Sequence, residues 1–108
     1  MHVVKKSDLD LNTTLNLLVS KEQGAVHCQA GIAKVAANGY IPEDGWSKHP
    51  TEEISYVIKG KLRVETPSAK REICEGDVVF MPSNEPHRNV NLTDEEALIF
   101  WVTSPPTL

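Results

Sequence analysis

Turn-forming residues recur along this chain at intervals of roughly 8–12 residues, and the runs between them are β-branched or aromatic with no helical period. That punctuation leaves room for short strands only. Asn38-Gly39 and a Pro- and Gly-containing turn over residues 42–45 follow a small-residue, strand-compatible run at 25–37. Ile54, Tyr56, Val57 and Ile58 form the next strand, which Gly60-Lys61 turns into a run through Leu62 and Val64. Residues 66–69 turn the chain into a short segment at 70–74, Glu75-Gly76-Asp77 turn it again, and Val78, Val79, Phe80 and Met81 form a strand that Pro82 ends. A run over 88–92 and a polar turn at 93–96 lead to the most apolar strand, residues 97–102. Residues 1–24 read as an irregular or strand-like N-terminal arm, since Leu9, Leu11, Leu15, Leu17, Leu18 and Val19 fit neither period, and Pro105-Pro106 marks residues 104–108 as a loose tail. The expected fold class is all-β, a sandwich or small antiparallel β-barrel.

A chain of 108 residues with 40% apolar content is expected to build one domain around one core. The net charge of -4, with Lys5-Lys6 and Lys70-Arg71 as the only adjacent basic pairs, argues against a nucleic-acid partner, because no cationic cluster is dense enough to displace phosphate counterions. No apolar run reaches signal-peptide or membrane-span length, so no membrane partner and a soluble, cytoplasmic protein are expected. Cys28 and Cys74 form no metal-binding or disulfide spacing and read as reduced thiols.

The chemistry concentrates in two stretches. In an extended segment alternate side chains share a face, so Ser47, His49, Thr51, Glu53 and Ser55 fall together while Lys48 and Glu52 face solvent. His49 and Glu53 can then converge across the bend that Pro50 introduces. His87 follows a Gly76-to-Pro82 strand unit and supplies a second imidazole. Two imidazoles and a carboxylate are the donor set of many transition-metal sites, with Ser47 placed to contact a bound water. The competing reading is an exposed loop around His49 and an unrelated turn at His87. His2 and His27 have no such surroundings. No general base beyond the three donors stands out, so no catalytic residue is assigned. Tyr56 falls on the face opposite Glu53 and reads as packing. Trp46 and Trp101 are possible pocket walls, and Lys59 and Arg63 share the parity of Glu53 if no bulge intervenes, which would suit an acidic substrate.

The second stretch resembles the second sequence motif of the cupin superfamily: Gly76, Pro82, His87 and Asn91 stand at its fixed places, with Asn84 where a glycine is usual. Asn is the side chain that best tolerates the left-handed conformation such a glycine adopts. His49, Glu53 and Gly60 match the first motif, whose first histidine place holds Ser47 and whose opening glycine place holds Ile41. The resemblance covers residues 31–103 and implies a small single-domain cupin, a double-stranded β-helix or jelly-roll barrel. It also implies one divalent transition metal (Mn, Fe, Co, Ni or Zn) held by His49, Glu53 and His87, with Ser47 at or beside a fourth position. The implied ligand is a small oxygenated molecule, handled by dioxygenase, isomerase or lyase chemistry; the alternative is a non-catalytic binding or sensing module, with or without metal. A homodimer is implied too, its sheets extended by terminal strands such as 97–102 and the N-terminal arm.

Overall fold

The computed structural model describes residues 1–107 and consists of nine strands with two single-turn 3-10 helices, Lys6–Asp8 and Lys21–Gln23. The strands are β1 (Leu15–Val19), β2 (Gln29–Val35), β3 (Tyr40–Ile41), β4 (Glu52–Lys59), β5 (Lys61–Thr66), β6 (Ala69–Cys74), β7 (Val78–Met81), β8 (Arg88–Val90) and β9 (Ala97–Ser104). They form two antiparallel sheets, ordered β1-β2-β9-β4-β7 and β3-β8-β5-β6. The expected all-β class and the strand positions hold. No helix among the described residues is long and apolar enough to cross a membrane.

The turns work through backbone conformation. Gly60 (φ 89°) and Gly76 (φ 92°) are left-handed, as the turns after β4 and before β7 require, and Asn84 takes the same region at φ 62°. A Cβ on Gly60 would also lie 3.0 Å from the backbone of Ala97, so the β4–β5 turn packs tightly against the start of β9.

Between the sheets the inward side chains change character along each strand. Val35, Val57, Leu62, Ile73, Ala97 and Ile99 make an aliphatic core, with Ile41, Val64 and Val79 packed against it. Two residues at a time, the same inner faces then turn polar: β9 runs Ala97, Ile99, Trp101, Thr103, and β4 runs Val57, Ser55, Glu53. Register aligns these changes across the sheet. One row reads Gln29, Thr103, Glu53, Met81 and the next Gly31, Trp101, Ser55, Val79. The apolar end closes the molecule while the other end is left to build a site.

Three expectations need correction. The β4–β9 register shifts between Val57 and Lys59, which breaks the parity that would have turned Lys59 inward. Lys59 instead lies 3.9 Å from Glu96 at the surface, and Arg63 bonds Glu65, so neither reaches the inner face that carries Glu53. The tail is not loose as far as Thr107: Pro106 is buried, the Thr107 amide donates to Gln29 Oε1 at 2.9 Å, and Gln29 Nε2 donates to Thr107 Oγ1 at 3.3 Å. Leu108 lies outside the described residues. Finally, β9 is hydrogen-bonded to β2 on one side and β4 on the other, so it has no free edge with which to extend a partner's sheet. Of the parts expected at such an edge, the arm's β1 has one.

Candidate metal and ligand site

Backbone pairing brings the two chemistry-bearing stretches together. Ser47 and His87 exchange both amide-to-carbonyl bonds at 2.9 Å as an isolated antiparallel bridge, and the Asn84 amide donates to the His49 carbonyl at 2.8 Å. The left-handed Asn84 lets the loop between β7 and β8 fold back to make that second tie. His49 and His87 therefore face each other, ring centroids 5.0 Å apart and planes at 84°.

Glu53, at the start of β4, reaches between them. Its Oε2 lies 3.5 Å from His87 Nε2 and 3.9 Å from His49 Nε2, and the three donor atoms fall within 4.8 Å of one another. Two donors bound to one ion at about 2.0–2.2 Å stand about 3 to 4 Å apart at ordinary bond angles, so both separations from Glu53 suit a single first-row ion, and the wider bound of 4.8 Å on the set calls for a slight closing of the donors around it. Both rings are also oriented for it. His87 Nδ1 is 2.8 Å from the Glu85 carbonyl, which only accepts, so Nδ1 donates there and Nε2 is the ring nitrogen turned toward Glu53. His49 Nδ1 is 2.5 Å from Thr51 Oγ1, a contact that orients the ring and leaves Nε2 toward Glu53, the hydroxyl being able to accept from Nδ1–H or donate to it. The donor set, its spacing and its supporting bonds fit a divalent metal.

The cluster lines a cavity of about 320 Å³. Ser47, Thr51 and Ser55 line it with His49 and Glu53, as the alternation predicts, whereas Lys48 and Glu52 are exposed. Ser47 also sits directly across from His87. The expected outsiders stay outside: His2 and His27 are exposed, and Tyr56 lies on the outer sheet face.

Of the two tryptophans only Trp101 is a wall. Its indole lies over Gly31, where an added Cβ would be 2.5 Å from Cζ2. Trp46 is 41% exposed and stacks under the Arg88 guanidinium, 4.6 Å from the ring centroid. Arg88 Nε donates to Glu65 Oε1 at 2.7 Å and Arg63 Nε to Oε2 at 2.5 Å. The Arg88 bond above all, with help from Arg63, holds the Glu65 carboxyl below its ordinary value although burial opposes this. Asn91 is structural as well: fully buried, it donates to the carbonyls of Val35 and Glu95 and accepts from Thr93, pinning the β8–β9 connection.

Sequence reasoning missed several lining residues. Leu15, Gln29, Ala33, Asn89, Thr103 and Thr107 enter the cavity from strands and tail far away in the chain. For Thr103 a signal existed: Ala97, Ile99, Trp101 and Thr103 alternate on one face, and extending the last strand by two residues would have found it. Trp101 Nε1 and Thr103 Oγ1 are buried with no hydrogen-bond partner among the described residues. Leaving such groups unpaired costs about 1–3 kcal/mol each.

Two sheets closed over an aliphatic core, with a two-histidine, one-carboxylate cluster at the polar end, define a double-stranded β-helix barrel of the jelly-roll class. The Cupin domain family matches residues 31–103, and the chain belongs to that family. In sequence it is 28% identical over 80 residues to uncharacterized protein MJ1618 of Methanocaldococcus jannaschii, a match over 70% of this chain that spans 64% of that relative's length. In structure it is similar to the polyketide cyclase RemF from Streptomyces resistomycificus, with a TM-score of 0.82, 23% identity, and coverage of 98% of this chain and 82% of that one. A Cupin 2 conserved barrel domain protein from Salinispora arenicola follows at TM-score 0.73 and 23% identity, covering 95% and 86%. The DMSP lyase DddQ from Ruegeria pomeroyi superposes at TM-score 0.72 and 23% identity, covering 83% of this chain and 45% of that one. At these identities the shared property is the barrel fold.

Proposed function

We propose that this cupin holds one divalent transition ion through His49 Nε2, Glu53 and His87 Nε2 and binds a small oxygenated molecule in the adjoining cavity. The observation that carries the reading is the double constraint on the two rings: each imidazole has its Nδ1 tied down and its Nε2 within 3.9 Å of the same carboxylate oxygen. Mn, Fe, Co, Ni and Zn all accept such a set. When bound, the ion supplies Lewis-acid polarisation of a ligand oxygen or a redox centre. The chain's own residues would orient that ligand: Ser47 offers a hydroxyl beside His87, Ser55 another beside Trp101, and the aliphatic wall of Ile41 and Ile99 excludes water. Oxygenation, isomerisation and lyase chemistry all suit such a site, and two structural relatives are named as a cyclase and a lyase.

One observation favours the alternative, a binding or sensing module. Among the described residues lining the cavity no titratable side chain other than the three donors is present, so there is no separate acid or base to move a proton. Elemental analysis of untagged protein, with His49→Ala and His87→Ala beside it, tests the metal. Stoichiometric ion lost in both variants supports the reading, and metal content indifferent to both substitutions sinks it. Turnover of oxygenated test substrates by the loaded protein then separates enzyme from binding module.

The reading includes a homodimer and a reducing, cytoplasmic setting. Ile54, Tyr56, Val78, Phe80 and Phe100 lie exposed on one outer sheet face, with Ile54 paired to Phe80 and Tyr56 to both Val78 and Phe100. Such a contiguous apolar patch supports a self-association surface, and light scattering with Tyr56→Lys tests it. Cys28 and Cys74 are both free thiols, which supports the compartment.

A further inference from the structure

The unpaired polar atoms and the charges absent from the cavity wall together specify what the cavity takes. Trp101 and Thr103 are each 6% exposed, both line the cavity, and Trp101 Nε1 and Thr103 Oγ1 have no partner among the described residues. They are neighbours on the inward face of β9. Thr103 is the register partner of Glu53, and Trp101 that of Ser55. Folded chains pair nearly all buried polar groups, so two groups on one cavity wall with no partner among the described residues indicate that the partner arrives with the occupant.

The rest of the wall decides the charge of that partner. No lysine or arginine lines the cavity among the described residues, and Glu53 is its only acid. The nearby cations are committed elsewhere: Arg63 and Arg88 to Glu65, Lys59 to Glu96, and Lys34 to the Leu11 carbonyl at 2.8 Å. A carboxylate could accept from the same two groups, but no lysine or arginine of the wall would offset its desolvation and Glu53 stands beside Thr103, so only a metal ion at the three donors would neutralise it. A neutral oxygen acceptor would meet an indole N–H, which only donates, and a hydroxyl free to donate. Leu15, Ala33, Ile41 and Ile99 supply an apolar bed for the remainder.

We propose that the cavity selects a small, largely apolar molecule bearing a neutral carbonyl or hydroxyl oxygen, and that Trp101 Nε1 and Thr103 Oγ1 are the groups that recognise that oxygen. The inference rests on the proposed function only in taking this cavity as the ligand site.

The test uses matched aryl ketones and acids, acetophenone with benzoate and 1-hydroxy-2-acetonaphthone with 1-hydroxy-2-naphthoate. Each is titrated into zinc-loaded and zinc-free full-length protein, with zinc content measured on every sample. The chain has two tryptophans, so the ¹⁵N-labelled protein gives two indole N–H signals, which Trp46→Phe assigns. The Trp101 indole proton is expected to move downfield on ketone binding in both forms, and the zinc-free protein is expected to prefer ketone over acid. Thr103→Val and Trp101→Phe are each expected to weaken ketone binding about three- to tenfold, the worth of one hydrogen bond, with Thr103→Ser restoring it. An unmoved Trp101 signal at saturation, no ketone binding, or equal binding of ketone and acid without zinc overturns the proposal. The signal shift needs no variant at Trp101, so a misfolded Trp101→Phe does not blunt the test. Failure of this proposal would show as an unmoved Trp101 signal or no preference for ketone in protein that does retain zinc, whereas failure of the metal reading would show as protein that retains no zinc yet still shifts its Trp101 signal with ketone.

Discussion

Thr51→Val separates the orientation of His49 from its presence. The Thr51 hydroxyl sits 2.5 Å from His49 Nδ1 and the residue is 1% exposed, so valine removes the oxygen while filling nearly the same space. His49 depends on that bond more than His87 depends on its own. The His49 side chain is 30% exposed against 8% for His87, so packing alone does not hold its ring. Losing a partner that orients a ligating imidazole weakens metal binding about 10–100-fold, or about 1.4–2.7 kcal/mol. The cost to folding is smaller, about 0.5–1.5 kcal/mol for one hydrogen bond, and is partly offset by the strand preference of valine. Competition with a chromophoric chelator measures the affinity, and thermal melting of the metal-free protein measures the fold. Thr51→Ser, which keeps the hydroxyl, is expected to stay near wild type. Unchanged affinity in Thr51→Val, or equal losses in the serine and valine variants, would refute the argument that this hydroxyl orients the ring.

Ser47→His places an imidazole directly across from His87 and is expected to tighten metal binding in the same chelator competition. Gly31→Ala puts a Cβ 2.3 Å from the Asn16 carbonyl oxygen and 2.5 Å from Trp101 Cζ2, an overpacking expected to cost about 1–3 kcal/mol by denaturant titration. Glu65 has a carboxyl held below its ordinary value of 4.5, chiefly by Arg88, so its contribution to stability is complete above that pH and lost as pH falls through the lowered value. Glu65→Gln is therefore expected to melt below wild type at neutral pH, with the gap narrowing as both are acidified below 4.5.

Some of this was legible residue by residue. Asn84 and Gly60 announce left-handed turns because few side chains tolerate positive φ, and both adopt it. The alternation of Ser47, His49, Thr51, Glu53 and Ser55 follows from the two-residue period of an extended chain, and all five line one cavity. The same period failed at Lys59, where a register shift that depends on β9 reverses the side chain. It was silent on Gln29 and Thr107, whose mutual hydrogen bonds join residues 78 positions apart.

By itself, then, the sequence determined the strands, their turns and the three residues of the His49, Glu53 and His87 cluster, because backbone conformation and side-chain alternation are set by near neighbours. Only the tertiary structure decided what stands beside those residues. It set Thr103 next to Glu53 and Trp101 over Gly31, kept lysine and arginine out of the described cavity lining, and left two buried polar groups with no partner among the described residues. Those placements come from pairing strands far apart in the chain, and such pairings are settled by which faces can share one core.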